Sequence, residues 1–181
     1  MGRPAALNGF RAARACYNSP GMAELEVEGG CGCRAVRFRT AGRPMIVHCC
    51  HCRYCQRETG SAFVVNALFE ADRVTLEGPP LDAVMTPSAS GKGQTIHRCP
   101  TCRIALFSNY AQAREAIRFV RVGTLDQPDT FAPDVHIYTS TKQPWVTLPP
   151  GVPAFEAYYN PKELWSEESQ QRFRAVRNRA G

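Results

Sequence analysis

The segment His48–Ser61, read HCCHCRYCQRETGS, decides how the rest of the chain is understood. Cys50, Cys52 and Cys55 form a C-x-C-x-x-C run. Thiolates on one zinc ion lie roughly 3.8 Å apart, because zinc binds sulfur tetrahedrally at about 2.3 Å. In an extended C-x-C, residues i and i+2 share a face. One tight turn brings the two ends of C-x-x-C to the same side. The run therefore predicts one ion held by Cys50, Cys52 and Cys55. Alternation sends Cys49 and His51 to the opposite face, so Cys49 is assigned as a small buried hydrophobe. A local kink would swap the faces and bring Cys49 into an alternative triad.

Two tight pairs lie outside this segment, Cys31 with Cys33 and Cys99 with Cys102. Gly32 lets the first pair bend until its sulfurs converge. Together the pairs supply four thiolates, enough for a closed structural zinc site joining distant parts of the chain. Spacing alone does not prove that the two pairs meet. The central run offers only three thiolates, and an open coordination position is the mark of a catalytic zinc. His48, His51, His97 and His136 are the residues that could close it instead. The expectation is two zinc ions per chain.

Composition supports metal over disulfides. The chain has 181 residues and nine cysteines, an odd number that cannot pair completely. No secretory apolar run and no stretch near the ~20 residues of a membrane helix is present. A reducing, cytoplasmic setting follows, where clustered cysteines serve as metal ligands. The net charge of +6 gathers at the ends. Residues 1–22 carry three arginines and no acid, and residues 166–181 carry four arginines against two glutamates, leaving about +1 in the middle. That distribution gives no long basic groove for a polyphosphate, so neither nucleic acid nor membrane is an expected partner. Residues 1–22 read as a flexible extension. Their composition also fits a transit peptide, or a start at Met22, and Cys16 has no assigned role.

Hydrophobic patterning gives the architecture. Period-two alternation at Leu25 and Val27, and at Val36 and Phe38, reads as strands. Further strands are expected at Met45–His48, Ala62–Phe69, Arg73–Leu76, Gln94–Arg98, Ile104–Phe107, Ile117–Val122 and Val135–Thr139. Arg53–Thr59 is expected to be a short helix stopped by Gly60. Pro79-Pro80, Ser88–Gly93 and Pro144–Pro153 read as loops. A zinc-binding domain then spans residues 23–160. Residues 161–181 form a polar, helical or disordered tail that docks loosely at best, with Ser166 as N-cap and only Phe173 and Val176 apolar. The fold class is mainly antiparallel β with little helix.

Four segments carry a specific resemblance: Gly30–Phe38 (GCGCRAVRF), Cys50–Phe63 (CHCRYCQRETGSAF), Arg98–Phe107 (RCPTCRIALF) and Arg121–Leu148, which contains GTLD, HIYTS and PWV. They resemble the glutathione-dependent formaldehyde-activating enzyme family, to which centromere protein V is similar. The resemblance implies a β-tent of small antiparallel sheets clipped by zinc. It implies a structural zinc on Cys31, Cys33, Cys99 and Cys102, and a catalytic zinc on Cys50, Cys52 and Cys55. It also implies a carbon–sulfur lyase reaction that adds glutathione to formaldehyde, giving S-hydroxymethylglutathione. On that reading Arg53 and Arg57, which flank the ligands, would meet the carboxylates of the thiol substrate, and Tyr54 would line the site or pack. A zinc-stabilised binding module without catalysis is the alternative. Members of the family often carry glycine after each cysteine pair, where this chain has Arg34 and Arg103. Arginine tolerates positive φ poorly, so those turns are expected to differ.

Overall fold

The computed structural model describes residues 25–111 and 114–179; the extension 1–22 and Cys16 lie outside them. Among these residues ten strands form two sheets. The smaller holds β1 (Glu26–Gly30), β2 (Arg37–Ala41) and β5 (Val74–Glu77) in the order β1-β2-β5. The larger comprises β3 (Ile46–Cys50), β4 (Val64–Glu70), β6 (Asp82–Thr86), β7 (Gln94–Arg98), β8 (Ala105–Tyr110), β9 (Ile117–Arg121) and β10 (Val135–Ile137). Its order is β10-β3-β4-β9-β8-β7-β6. All pairings are antiparallel except β10 with β3. Among the described residues, three α-helices and several 3-10 turns accompany the strands: α1 (Arg53–Thr59), α2 (Pro161–Leu164) and α3 (Glu167–Arg179).

The central strands are covered on both faces, which is why β3 reads as an unbroken buried run. Val47, Ala67 and Phe69 face the small sheet, packing with Val27, Val36 and Phe38. Ile46, Leu68, Val135 and Ile137 face the other way, toward Trp165 and Val176 of the C-terminal segment. In β1, Val27 and Gly29 turn inward while Glu26 and Glu28 point out, where Arg37 and Arg39 of β2 pair with them. Gly29 is demanded by its surroundings, since an added Cβ would meet Phe38 Cζ at 2.5 Å and the Thr124 carbonyl at 2.6 Å.

The C-terminal segment docks firmly, contrary to the loose tail expected. Ser166 caps α3 by accepting from Ser169 N at 3.1 Å, and Ser169 Oγ donates to the Met45 carbonyl at 2.7 Å. Arg172 grips Glu70 with two hydrogen bonds of 2.7 and 2.6 Å and donates to the Arg43 carbonyl at 2.9 Å. Trp165 and Val176 are buried. Three polar anchors thus do what two apolar residues could not. Among the described residues, no helix is long and apolar enough to cross a membrane.

Candidate active site

Cys31, Cys33, Cys99 and Cys102 converge, with their sulfurs all within 4.8 Å of one another. Cys31 and Cys33 lie 3.4 Å apart, and Cys33 and Cys99 lie 3.7 Å apart. These separations match sulfurs sharing one tetrahedral ion and far exceed a disulfide bond of about 2.05 Å. Each pair sits in a tight turn. Arg34 N donates to the Cys31 carbonyl and Arg103 N to the Cys99 carbonyl, both at 3.0 Å. Arg34 and Arg103 have φ of 61° and 65°. The expected difference in these turns is absent: arginine occupies the left-handed conformation that favours glycine. The Arg98 guanidinium pairs with Glu58 of α1 and donates to the Arg103 carbonyl, linking this cluster to the helix of the other one.

The second set assembles where β3 runs into α1. Cys50 ends the strand, Cys52 is the N-cap of α1, and Cys55 lies in its first turn. Cys52 Sγ accepts from Cys55 N at 3.3 Å, as a serine or aspartate cap would. Gly60 ends the helix at φ 63°. The three sulfurs lie within 4.8 Å of one another and all three cysteines are buried. Thiol bonds from Cys50 and Cys55 draw the Cys52 thiol down to about 3. Cys50 is pushed up by the hydrogen bonds of its two neighbours and by burial. Cys55, although Cys50 donates to it, is pushed up to about 12 by Cys52 and burial. A donor set of three crowded thiols whose full ionisation needs a nearby cation fits a divalent metal. Arg121 brings a fixed positive charge. It is buried on β9, lowers the Cys55 thiol, and is held by Asn66 and by Ser108 Oγ at 2.8 Å.

A third set, Cys49, His51 and His136, also lies within 4.8 Å. It occupies the face opposite the triad, as alternation requires. The parallel pairing of β10 with β3 sets His136 beside Cys49. Its nitrogens engage each other, His51 Nε2 lying 2.9 Å from His136 Nδ1. Among the described residues no histidine or carboxylate atom joins the Cys50–Cys52–Cys55 set. His97 instead stacks on Phe107, and His48 Nε2 lies 2.7 Å from the Tyr159 hydroxyl. Trp165 Nε1 donates to that same hydroxyl at 2.6 Å, so Tyr159 bridges the indole and the imidazole. Burial holds His48 neutral, near 3.

Cys50, Cys52 and Cys55 open on a cavity of about 710 Å³. Its walls include Leu68, Phe119 and Ile137 of the large sheet, and Tyr158, Trp165 and Phe173 from the C-terminal segment. Lys92 and Arg177 are its cations, and no Asp or Glu lines it among the described residues. Tyr138, at φ 56°, also lines it. Burial and the cysteine charges hold its phenol above the ordinary tyrosine value, and so protonated. Tyr54 lines the cavity; Arg53 and Arg57 do not. The Arg53 guanidinium donates to Gln56 Oε1 at 2.8 Å, and Arg57 is exposed. Sequence spacing placed those two arginines beside the ligands, but the helix turns them away. Lys92 and Arg177 carry no motif of their own, and Arg121 and Tyr138, though inside the Arg121–Leu148 segment, join the site visibly only once the loop 87–93, β9, β10 and α3 are packed.

The model of the family described as glutathione-dependent formaldehyde-activating enzyme matches residues 26–141, more than half of the chain. The chain belongs to that family. No curated protein matches it. A solved structure of a Rhodobacter sphaeroides protein, 14% identical, covers 71% of this chain and 98% of its own length with a TM-score of 0.41.

Proposed function

We propose that this protein joins a thiol, glutathione or a close relative, to formaldehyde or a related aldehyde, as a carbon–sulfur lyase does in its synthetic direction. We assign two zinc ions, one to Cys31, Cys33, Cys99 and Cys102 and one to Cys50, Cys52 and Cys55. We assign none to Cys49, His51 and His136, where the mutual hydrogen bond already occupies the facing nitrogens. Free thiols in such number fit a reducing compartment, and we place the protein in the cytoplasm. The observation that carries the reading is the buried triad, three ligands with no fourth side-chain donor among the described residues, opening on a cavity.

Zinc on the triad would supply the Lewis-acid charge that holds an incoming thiol as its thiolate. The chain's own residues do the rest. Arg121 offsets the negative charge gathered at the cysteines. Lys92, a cation that lines the cavity, meets a substrate carboxylate in place of Arg53 and Arg57. The protonated Tyr138 phenol donates to the carbonyl oxygen. The walls exclude water. In the addition, the thiol S–H bond breaks and an S–C bond forms. The carbonyl π pair moves to oxygen, which takes up a proton, and nothing is oxidised or reduced. Exchange NMR on glutathione and formaldehyde tests this: wild type should speed adduct formation above the uncatalysed rate and Cys52→Ser should not. Equal rates with and without wild-type protein refute it.

A further inference from the structure

We infer that the aldehyde preferred at this site carries an aromatic or alkyl group, which lies against the wall built by residues 158–173. The inference rests on the thiol–aldehyde reading above and narrows its substrate. Formaldehyde has two heavy atoms, whereas a cavity of about 710 Å³ falls among those that enclose ligands of drug size, roughly 300–1,000 Å³. Glutathione does not account for the remaining space. Its ammonium group would find no acidic residue among the described lining. Its amides, laid along Trp165 and Phe173, would exchange water for apolar surface without partners. The Tyr159 hydroxyl is already committed to His48 and Trp165. The thiol is therefore confined to the metal triad and the Lys92 side, leaving the aromatic wall, over whose Phe173 ring the Arg177 guanidinium lies at 5.7 Å, for the other reactant.

The family match ends before that wall begins. Tyr158, Tyr159, Trp165, Phe173 and Arg177 all follow residue 141, where the family match ends. The wall is also built to stay in place. Trp165 and Phe173 meet edge to face at 5.3 Å, Tyr158 and Tyr159 stack at 5.0 Å, and α3 is held by the Arg172–Glu70 pair and by Ser169. A preformed apolar wall facing the cysteines favours a substrate with apolar surface to bury. The bond changes are those of the simple addition already given, with no further reactant.

The test compares octanal with formaldehyde on the metal-loaded full-length protein, using glutathione as the thiol and subtracting the uncatalysed rates. A buried methylene is worth about fourfold, so three of them against the wall should raise kcat/KM by roughly sixtyfold. The expected result is an advantage for octanal of tenfold or more. Phe173→Ser should cut that ratio at least tenfold, and Phe173→Leu should restore most of it, which separates the wall's role from loss of fold. Calorimetry with 1-octanol, which cannot react, should detect binding to wild type and weaker binding to Phe173→Ser. If formaldehyde is turned over as well as octanal or better, or if Phe173→Ser leaves the ratio unchanged, the inference fails while the thiol–aldehyde reading stands. If 1-octanol binds but neither aldehyde reacts, that reading falls and takes the substrate assignment with it.

Discussion

Arg34→Gly should stabilise the protein, although it removes a charged side chain beside the four-cysteine cluster. Arg34 sits at φ 61° immediately after Cys33, where its backbone N donates to the Cys31 carbonyl at 3.0 Å. A left-handed conformation costs an L-residue roughly 1–2 kcal/mol. Glycine removes that cost but brings more unfolded-state entropy, about 0.5–1 kcal/mol. The amide bond to Cys31 survives the change, and the exposed side chain takes little packing with it. The net gain is about 0.5–1 kcal/mol, which in a chain of this size raises Tm by roughly 1–4 °C. Arg103→Gly relieves the same strain but forfeits an ion pair with Asp82. An exposed pair contributes up to about 1 kcal/mol, so its gain should be smaller. The assay is thermal melting in zinc-replete buffer, with metal content shown equal for wild type and both variants. An unchanged or lowered Tm for Arg34→Gly would refute the claim that the arginine turn is strained.

Cys99→Ser should unfold the protein or lower its Tm steeply, because closed zinc sites contribute roughly 10–16 kcal/mol in small peptides. Cys52→Ser should stay folded and lose one equivalent of metal; similar melts for the two variants would contradict this division. The Glu70 carboxyl, though burial raises it, is held below its ordinary value by Arg172. A depressed folded pKa means its stabilisation is complete above the ordinary value, about 4.3, and is lost as pH falls through the folded value. Glu70→Gln, which breaks a largely buried pair, should therefore cost about 3 kcal/mol at pH 7, followed through Trp165 fluorescence in denaturant, and that gap should close below pH 4. Lys92→Ala should weaken glutathione binding by about tenfold in calorimetry, one charge-assisted contact, while Arg57→Ala should not; the reverse result would restore the helix arginines to the site.

The cysteine sets were legible because metal geometry and backbone periodicity impose the same spacing. Cys50 with Cys52 and Cys49 with His51 part to opposite faces by the alternation of an extended chain, and the structure keeps them parted. The β3–β4 core was legible for a related reason, since two covered faces leave an unbroken apolar run. What escaped depends on partners distant in sequence. Asp82–Thr86 is an edge strand whose Val84 and Met85 are exposed, so it has no buried alternation to read. The parallel bridge of β10 to β3, which brings His136 to His51, has no local signature. Arg121 reads as an ordinary strand residue until Asn66 and Ser108 enclose its guanidinium. The docking of α3 rests on Ser169 and Arg172, polar residues that hydrophobic patterning counts as solvent-facing.

The central claim is that the second metal keeps a position for a substrate sulfur. Zinc-edge X-ray absorption on the two-zinc protein, before and after glutathione is added, tests it most directly. Four cysteines at one site and three at the other predict about 3.5 sulfurs per zinc at rest. Glutathione should raise the average to about 4, and Cys52→Ser should abolish the change. An average already at four without glutathione, or one that glutathione does not move, would contradict the account.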